Sequence, residues 1–169
     1  MSLGLAKSVT RLEPHDPAWA RQFEQERERL GRVLLDAPCE HIGSTAVPGL
    51  AAKPILDLAV GCPADFAGLR QGLEGAGYLY MGDGGDEGGH LFVRESAPEV
   101  RTHHLHVVRY AGPQWQGYLA LRDLLRRSAD ARARYEGVKR DLARLHPLDR
   151  PAYTDGKTGC ITELLRRRR

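Results

Sequence analysis

The sequence predicts an α+β fold: a small mixed β-sheet with flanking helices and a helical C-terminal third. Three observations lead there. The chain opens with an amphipathic helical pattern. It continues with short apolar segments broken by glycine and proline turns. Past "AGP" (Ala111–Pro113) only helical periodicity remains. With 169 residues, 41% apolar and 28% charged, the composition is that of a globular chain with a core of its own, and residues 1–169 read as one domain.

From the N-terminus, "HDPAWARQFEQERERLGRVL" starts a helix with Asp16 as N-cap and Pro17 at the first helical position. Trp19, Phe23, Leu30 and Leu34 share one face, and the helix is expected to reach about Asp36. "CEHIG" is a short extended segment, and "STAVPGLAAK" carries the Pro48-Gly49 turn. "PILDLAVG" is a strand, apolar and bounded by Pro54 and Gly61. "PADFAGLRQGLEGAG" is a helix closed by Gly77. "YLYM" and "HLFVRE" are two strands joined by the flexible, Gly/Asp-rich "GDGGDEGG", whose spacing fits no calcium loop. "RTHHLHVVRY" is a further strand. Helices then cover "WQGYLALRDLLRR", "SADARARYEGVKRDLARLH" with Tyr135, Val138, Leu142 and Leu145 on its apolar face, and "DGKTGCITELLRRR". In the last of these, Tyr153, Asp155 and Lys157 either cap the helix or cover a ligand.

Bulk properties exclude several classes. No run approaches the ~18 apolar residues of a membrane helix, and the first residues are too short and interrupted for the apolar region of a signal peptide. A cytoplasmic protein with no membrane partner is expected. Cys39, Cys62 and Cys160 form no CxxC pair, which fits reduced thiols. A net charge of +3 is no footprint of nucleic acid by itself. Arg132, Arg134, Lys139, Arg140 and Arg144 mark either a solvated helix face or an RNA-facing one, and "RRRR" (Arg166–Arg169) is a solvated tail.

Asp57 is the residue that needs explaining, because an ionised carboxylate in an apolar strand is costly without a partner or a role. It is either paired with Lys53 or an arginine, or it faces a site. Gly43-Ser44 ends the preceding extended segment, thirteen positions earlier. A glycine that admits phosphate to the backbone, a serine hydroxyl and a carboxylate for a divalent metal are the parts of a nucleoside triphosphate site. Lys53 and Arg101 are either phosphate-neutralising cations or members of surface salt bridges.

These residues resemble the hG[GS]…Dh[DE]h signature of the nucleotidyltransferase, or polymerase-beta-like, superfamily. More narrowly, "EHIGSTAVPGLAAKPILDLAV", "RTHHLHVV", "LRDLLR" and "YTDGKTGCI" together resemble the GrpB family over nearly the whole chain. The resemblance implies a nucleotidyltransferase-like fold, with phosphate on Gly43 and Ser44 and a catalytic, metal-holding acid at Asp57. The superfamily's second acid falls on Ala59, a departure that weakens two-metal chemistry. The strand where a third acid is expected offers His104 and His106 on one face, opposite His103 and Leu105. By the same parity Glu40 and Ser44 share a face. If those faces converge, Glu40, Asp57, His104 and His106 form a site for a divalent metal, Mn²⁺ or Zn²⁺ rather than Mg²⁺. His41, on the face opposite Glu40, reads as a packed histidine hydrogen-bonded to backbone rather than a catalytic one. The functional expectation is a metal-dependent nucleotidyltransferase-like protein that binds a nucleoside triphosphate and transfers a nucleotidyl group to an unknown acceptor. The alternative is a nucleotide-binding or protein-interaction module without turnover.

Overall fold

Strands β1 (Leu5–Ala6), β2 (Cys39–Ile42), β3 (Leu56–Gly61), β4 (Leu79–Asp83), β5 (His90–Ala97) and β6 (Val100–Val108) form one mixed sheet. They come from a computed structural model that describes residues 3–83 and 89–167. Most of the Gly/Asp-rich connection and the last two arginines of the tail lie outside the described residues. The order is β2-β3-β6-β5-β4, with the two-residue β1 pairing the start of β6. Only β3 and β6 run parallel; the other neighbours are antiparallel. Burial on both faces is why β3 reads as an almost unbroken apolar run.

One face of the sheet is sealed by α1 (Ala18–Arg29), α2 (Gly31–Leu34) and α3 (Phe66–Gly75). Trp19, Phe23, Leu30 and Leu34 pack there with Leu56, Leu58 and Val60, as the helical and strand periodicities require. Each such side chain contributes roughly 1.5–3 kcal/mol when fully buried. The first helix is not continuous to Asp36. It breaks around Leu30, and Leu35 takes a left-handed φ of 50° that ends the second segment. Asp16 accepts the Ala18 N–H at 2.9 Å, which satisfies one free donor at the helix start.

The other face carries α4 (Pro113–Arg127), α5 (Ala129–Leu145), α6 (Arg150–Gly156) and α7 (Thr158–Arg166). The last two replace the one short helix the sequence predicts. Asp149, not Asp155, supplies a cap, accepting the Ala152 N–H at 3.1 Å, and Asp155 lies inside α6. The buried stripe of α5 is Ala131, Tyr135 and Lys139, so Leu145, expected on the apolar face, is 66% exposed. These helices make two small clusters, one with the sheet and one with the loop that follows the Gly43–Ser44 turn. Ile42, Ala59, Val108 and Trp115 form one; Val47, Leu50, Leu125, Tyr135 and Leu164 form the other. No helix among the described residues is long and apolar enough to cross a membrane.

Candidate functional site

A cavity of about 590 Å³ opens on this second face, lined by side chains from β3 and β6, the Gly43–Thr45 turn and helices α4 to α7. Asp57 lies in its wall. In the parallel β3–β6 ladder Asp57 stands directly beside His104, and Ala59 beside His106. His104 Nδ1 and Asp57 Oδ1 are 3.0 Å apart. Burial works to raise the Asp57 pKa. The His104 hydrogen bond, followed by charge interactions with His104, His106 and Lys53, outweighs it and holds the carboxyl below its ordinary value. His104 Nε2 is buried with no hydrogen-bond partner among the described residues. Burial pushes the half-buried His106 down to about 4, so it is neutral near pH 7.

Gly43 and Ser44 form the turn between β2 and a short 3-10 segment (Ser44–Ala46). Gly43 has φ +70°, and a Cβ there would run into Asp57 Oδ2. The glycine is therefore demanded by Asp57 as well as by backbone geometry. The turn is held from above by the C-terminal helices. Lys139 Nζ donates to Ser44 Oγ at 3.1 Å and to the Ala51 carbonyl, Glu136 accepts the Ala51 N–H at 3.1 Å, and Arg126 Nε donates to the Ala46 carbonyl at 2.9 Å.

Six cations line the cavity: Lys53, Arg101, Arg122, Lys139, Arg150 and Lys157. Asp57 is the one carboxylate among its lining residues. Arg122 pairs with Glu40 and Asp123, outside the cavity lining; none of the other five forms an ion pair with a carboxylate among the described residues. Lys53 and Lys157 place their ammonium groups 4.8 and 4.9 Å from the centre of the same Tyr153 ring. Arg101 Nε and Arg150 Nη2 are buried without a hydrogen-bond partner among the described residues. Burial, together with repulsion from Arg150 and Lys157, lowers Lys53 to about 7. Burial and the Lys157 charge do the same to Lys139, which is 1% exposed. Arg101 reaches this face through a β-bulge. Between Arg94 and Glu95 the partner strand advances from His103 to Arg101, one residue too many. The extra residue inverts the alternation and puts Arg101 on the side of His104.

The predicted residues are thus brought together in part. Gly43, Ser44, Lys53, Asp57, Arg101, His104 and His106 all line the cavity; Glu40 does not. Its side chain lines a separate depression beside His41 and accepts from Arg122 Nη1 at 2.6 Å. Strand parity was the basis for including Glu40, but Ile42 lies between Glu40 and the Asp57 pair on that face. Among the described residues no group of three or more His, Cys, Asp and Glu side chains could hold a metal ion. Asp57 Oδ1 is engaged by His104, and Ala59 is 0% exposed and packed with Ile42, Val108 and Trp115. The cations of the lining add repulsion to any incoming dication. The donor set does not fit a preformed metal centre.

Away from the cavity, His41 is buried, stacked on Phe23 with ring centres 4.7 Å apart, and bonded to the Thr45 hydroxyl at 3.0 Å rather than to backbone. Burial takes it down to about 4. His103 points away from the cavity, buried near Tyr78. The charges of α5 are used internally: Arg134 pairs with Glu163, Arg140 with Glu136, Arg144 with Asp141, and Arg132 donates to the Leu125 carbonyl. Burial pushes the Cys39 thiol up to about 12, which leaves it unreactive. Sequence reasoning missed Lys139, Arg150 and Tyr135 as cavity residues. The available signal was spacing: Lys139 stands at i+8 from Ala131 and i+4 from Tyr135, along a stripe that is otherwise apolar.

Residues 9–167 match the GrpB protein family. The chain is 42% identical over 161 residues to a UPF0157 protein of Pseudomonas aeruginosa, a match covering 91% of this chain and 65% of that protein. It is 32% identical over 172 residues to the glutamate-rich protein GrpB of Alkalihalophilus pseudofirmus, covering 96% and 98%. Among solved structures, the conserved protein GrpB of Enterococcus faecalis superposes with a TM-score of 0.80 at 33% identity, over 94% of this chain and 99% of that one.

Proposed function

The chain belongs to the GrpB family, and we propose that its cavity binds a nucleoside triphosphate in the manner of a nucleotidyltransferase. The observation that carries this reading is the charge imbalance: one carboxylate against six cations around a Gly-Ser turn, five of them without a carboxylate partner among the described residues. A cavity so lined is complementary to a phosphate chain. The Ser44 hydroxyl and the backbone of the turn are placed to meet phosphate oxygens. Beside them, Asp57 orients His104 through Nδ1, and an imidazole held that way has its second nitrogen available to take a proton from an acceptor hydroxyl. Transfer of a nucleotidyl group to an acceptor is the reaction this arrangement supports.

A second reading, nucleotide binding without turnover, is favoured by one specific observation. The position of the superfamily's second acid is filled by Ala59, sealed under Trp115. Both readings require nucleotide binding, so that is tested first. Thermal shift with ATP, GTP, CTP and UTP should raise the melting midpoint; no shift with any of them refutes both readings. Incubation with α-labelled triphosphates and release of pyrophosphate then separates transfer from binding alone. Ser44→Ala is a cleaner probe of the turn than Gly43→Val, because a side chain at Gly43 displaces Asp57 whether or not phosphate binds there.

A further inference from the structure

Phosphate chains in enzymes are commonly neutralised by divalent ions held on paired carboxylates. This cavity has the opposite chemistry. Its carboxylate is engaged by His104, its second acid position is an alanine under α4, and five of its six wall cations have no carboxylate partner among the described residues. We propose that Lys53, Arg101, Arg150 and Lys157 hold the phosphate chain directly, so that a polyphosphate ligand binds without a divalent metal. The proposal rests on the nucleotide reading above and specifies how the phosphates are neutralised.

Three observations converge on it. Arg101 Nε and Arg150 Nη2 are buried donors without partners among the described residues, a state that is costly unless a ligand supplies the acceptor. Lys53 and Lys157 both set their ammonium groups over the one Tyr153 ring, so the structure holds two like charges beside the same ring. That arrangement raises the energy of the empty cavity and is relieved by an anion. Burial lowers both lysines, and repulsion from Arg150 adds to it, against the opposing pull of Asp57, the one carboxylate in the lining. Half of the set, Arg150 and Lys157, comes from α6 and its junction with α7. The C-terminal helices therefore complete the phosphate site rather than only covering the sheet.

The test is calorimetric titration of the intact chain with ATP and with inorganic tripolyphosphate, each in EDTA and in excess Mg²⁺. Both ligands should bind in EDTA, and Mg²⁺ should leave the affinity unchanged or weaken it, since it neutralises the ligand. Lys53→Met and Lys157→Met should each weaken binding at least tenfold in EDTA. Their melting midpoints without ligand should hold or rise, because each removes a repelled charge. Asp57→Asn should bind tripolyphosphate in EDTA as tightly or more tightly, having lost a like charge. Binding of ATP only when Mg²⁺ or Mn²⁺ is present, or its loss in Asp57→Asn, overturns metal-free neutralisation and leaves the nucleotide reading standing. If neither ligand binds under either condition, both fall. The wild-type EDTA titration decides the matter even if a variant fails to fold.

Discussion

Glu26 and Asp57 are acids set on opposite faces of one sheet, and they are served in different ways. Glu26 is 4% exposed and accepts two bonds from Arg29, at 2.6 and 2.8 Å, one from Arg94 at 3.0 Å and one from the Tyr78 hydroxyl at 2.7 Å. Burial alone would raise its pKa, but the bonds from Arg29 and Tyr78 bring it down to about 2. Its arginines have this carboxylate as their partner, and the network is closed. Asp57 accepts one bond, from His104, and five of the six surrounding cations, all but Arg122, have no carboxylate partner of their own among the described residues. A buried charge network that balances is a structural device; one that leaves donors over is built around something absent from the chain.

The contrast makes stability and ligand response separate on the two faces. The largest effect expected is from Glu26→Ala. It leaves Arg29, Arg94 and Tyr78 facing an empty position, and unfolding free energy in urea should drop by about 3–5 kcal/mol. The nucleotide-induced rise in melting midpoint, measured against the variant's own baseline, should be retained. Asp57→Asn should show the reverse weighting. On the sequence alone, a metal-holding Asp57 among other acceptors predicts an apo protein as stable as before. The structure surrounds it with cations instead, so loss of its charge should cost about 1.5–3 kcal/mol, the worth of a hydrogen bond to a charged group. Added ATP should restore part of that loss by supplying negative charge. If Asp57→Asn proves the more destabilising of the two and ATP restores nothing, the division into a structural and a functional acid fails.

Acid should act in two windows. His41 and His103 on the sealed face and His106 on the cavity face are each lowered to about 4 by burial. Below about pH 6.5 the unfolded chain takes up protons that the folded chain refuses until about 4. Stability is therefore full above that range and falls as pH drops through it, by up to about 1.4 kcal/mol per pH unit for each histidine. Glu26 adds a second loss as pH falls from its ordinary value near 4.5 towards 2, where its carboxylate finally protonates. Chemical denaturation at pH 7, 5.5 and 4.5 checks the sign. A stability that stays flat between 7 and 4.5 shows the histidines to be ordinary.

Short-range periodicity is the part of this molecule that is legible in its sequence. Alternation along "PILDLAVG" and "RTHHLHVV" placed Asp57, His104 and His106 on one side and Leu56, Leu58 and Leu105 on the other. Helical spacing found the Trp19 stripe. The illegible part depends on register and on distant packing. The parallel β3–β6 alignment decides that Asp57 meets His104. The bulge that turns Arg101 inward changes a parity that a period of two cannot reveal. Lys139 looks like one more charge on a basic helix until α5 lies across the Gly43–Ser44 turn and buries it. Glu40 was misplaced for the same kind of reason: sharing a face does not mean sharing a site when Arg122 of α4 captures it first.

The smallest effect expected belongs to Ser44, and it tests whether the turn serves the helices or the ligand. Its hydroxyl already accepts from Lys139 at 3.1 Å. Lys139 also bonds the Ala51 carbonyl, so Ser44→Ala deprives it of one acceptor, not all. That part of the change should lower apo stability by about 1 kcal/mol, one ordinary hydrogen bond. If the hydroxyl also meets a phosphate oxygen, nucleotide affinity should fall by a further factor of about five, which is again about 1 kcal/mol. Both losses are expected together, because Ser44 stands where the helical clamp and the cationic cavity meet. Measured on one protein, urea unfolding reads the first and calorimetry reads the second. A fall in stability with affinity unchanged would make Ser44 an anchor for Lys139 alone and move the phosphate contacts wholly onto the cations of the C-terminal helices and strand β6.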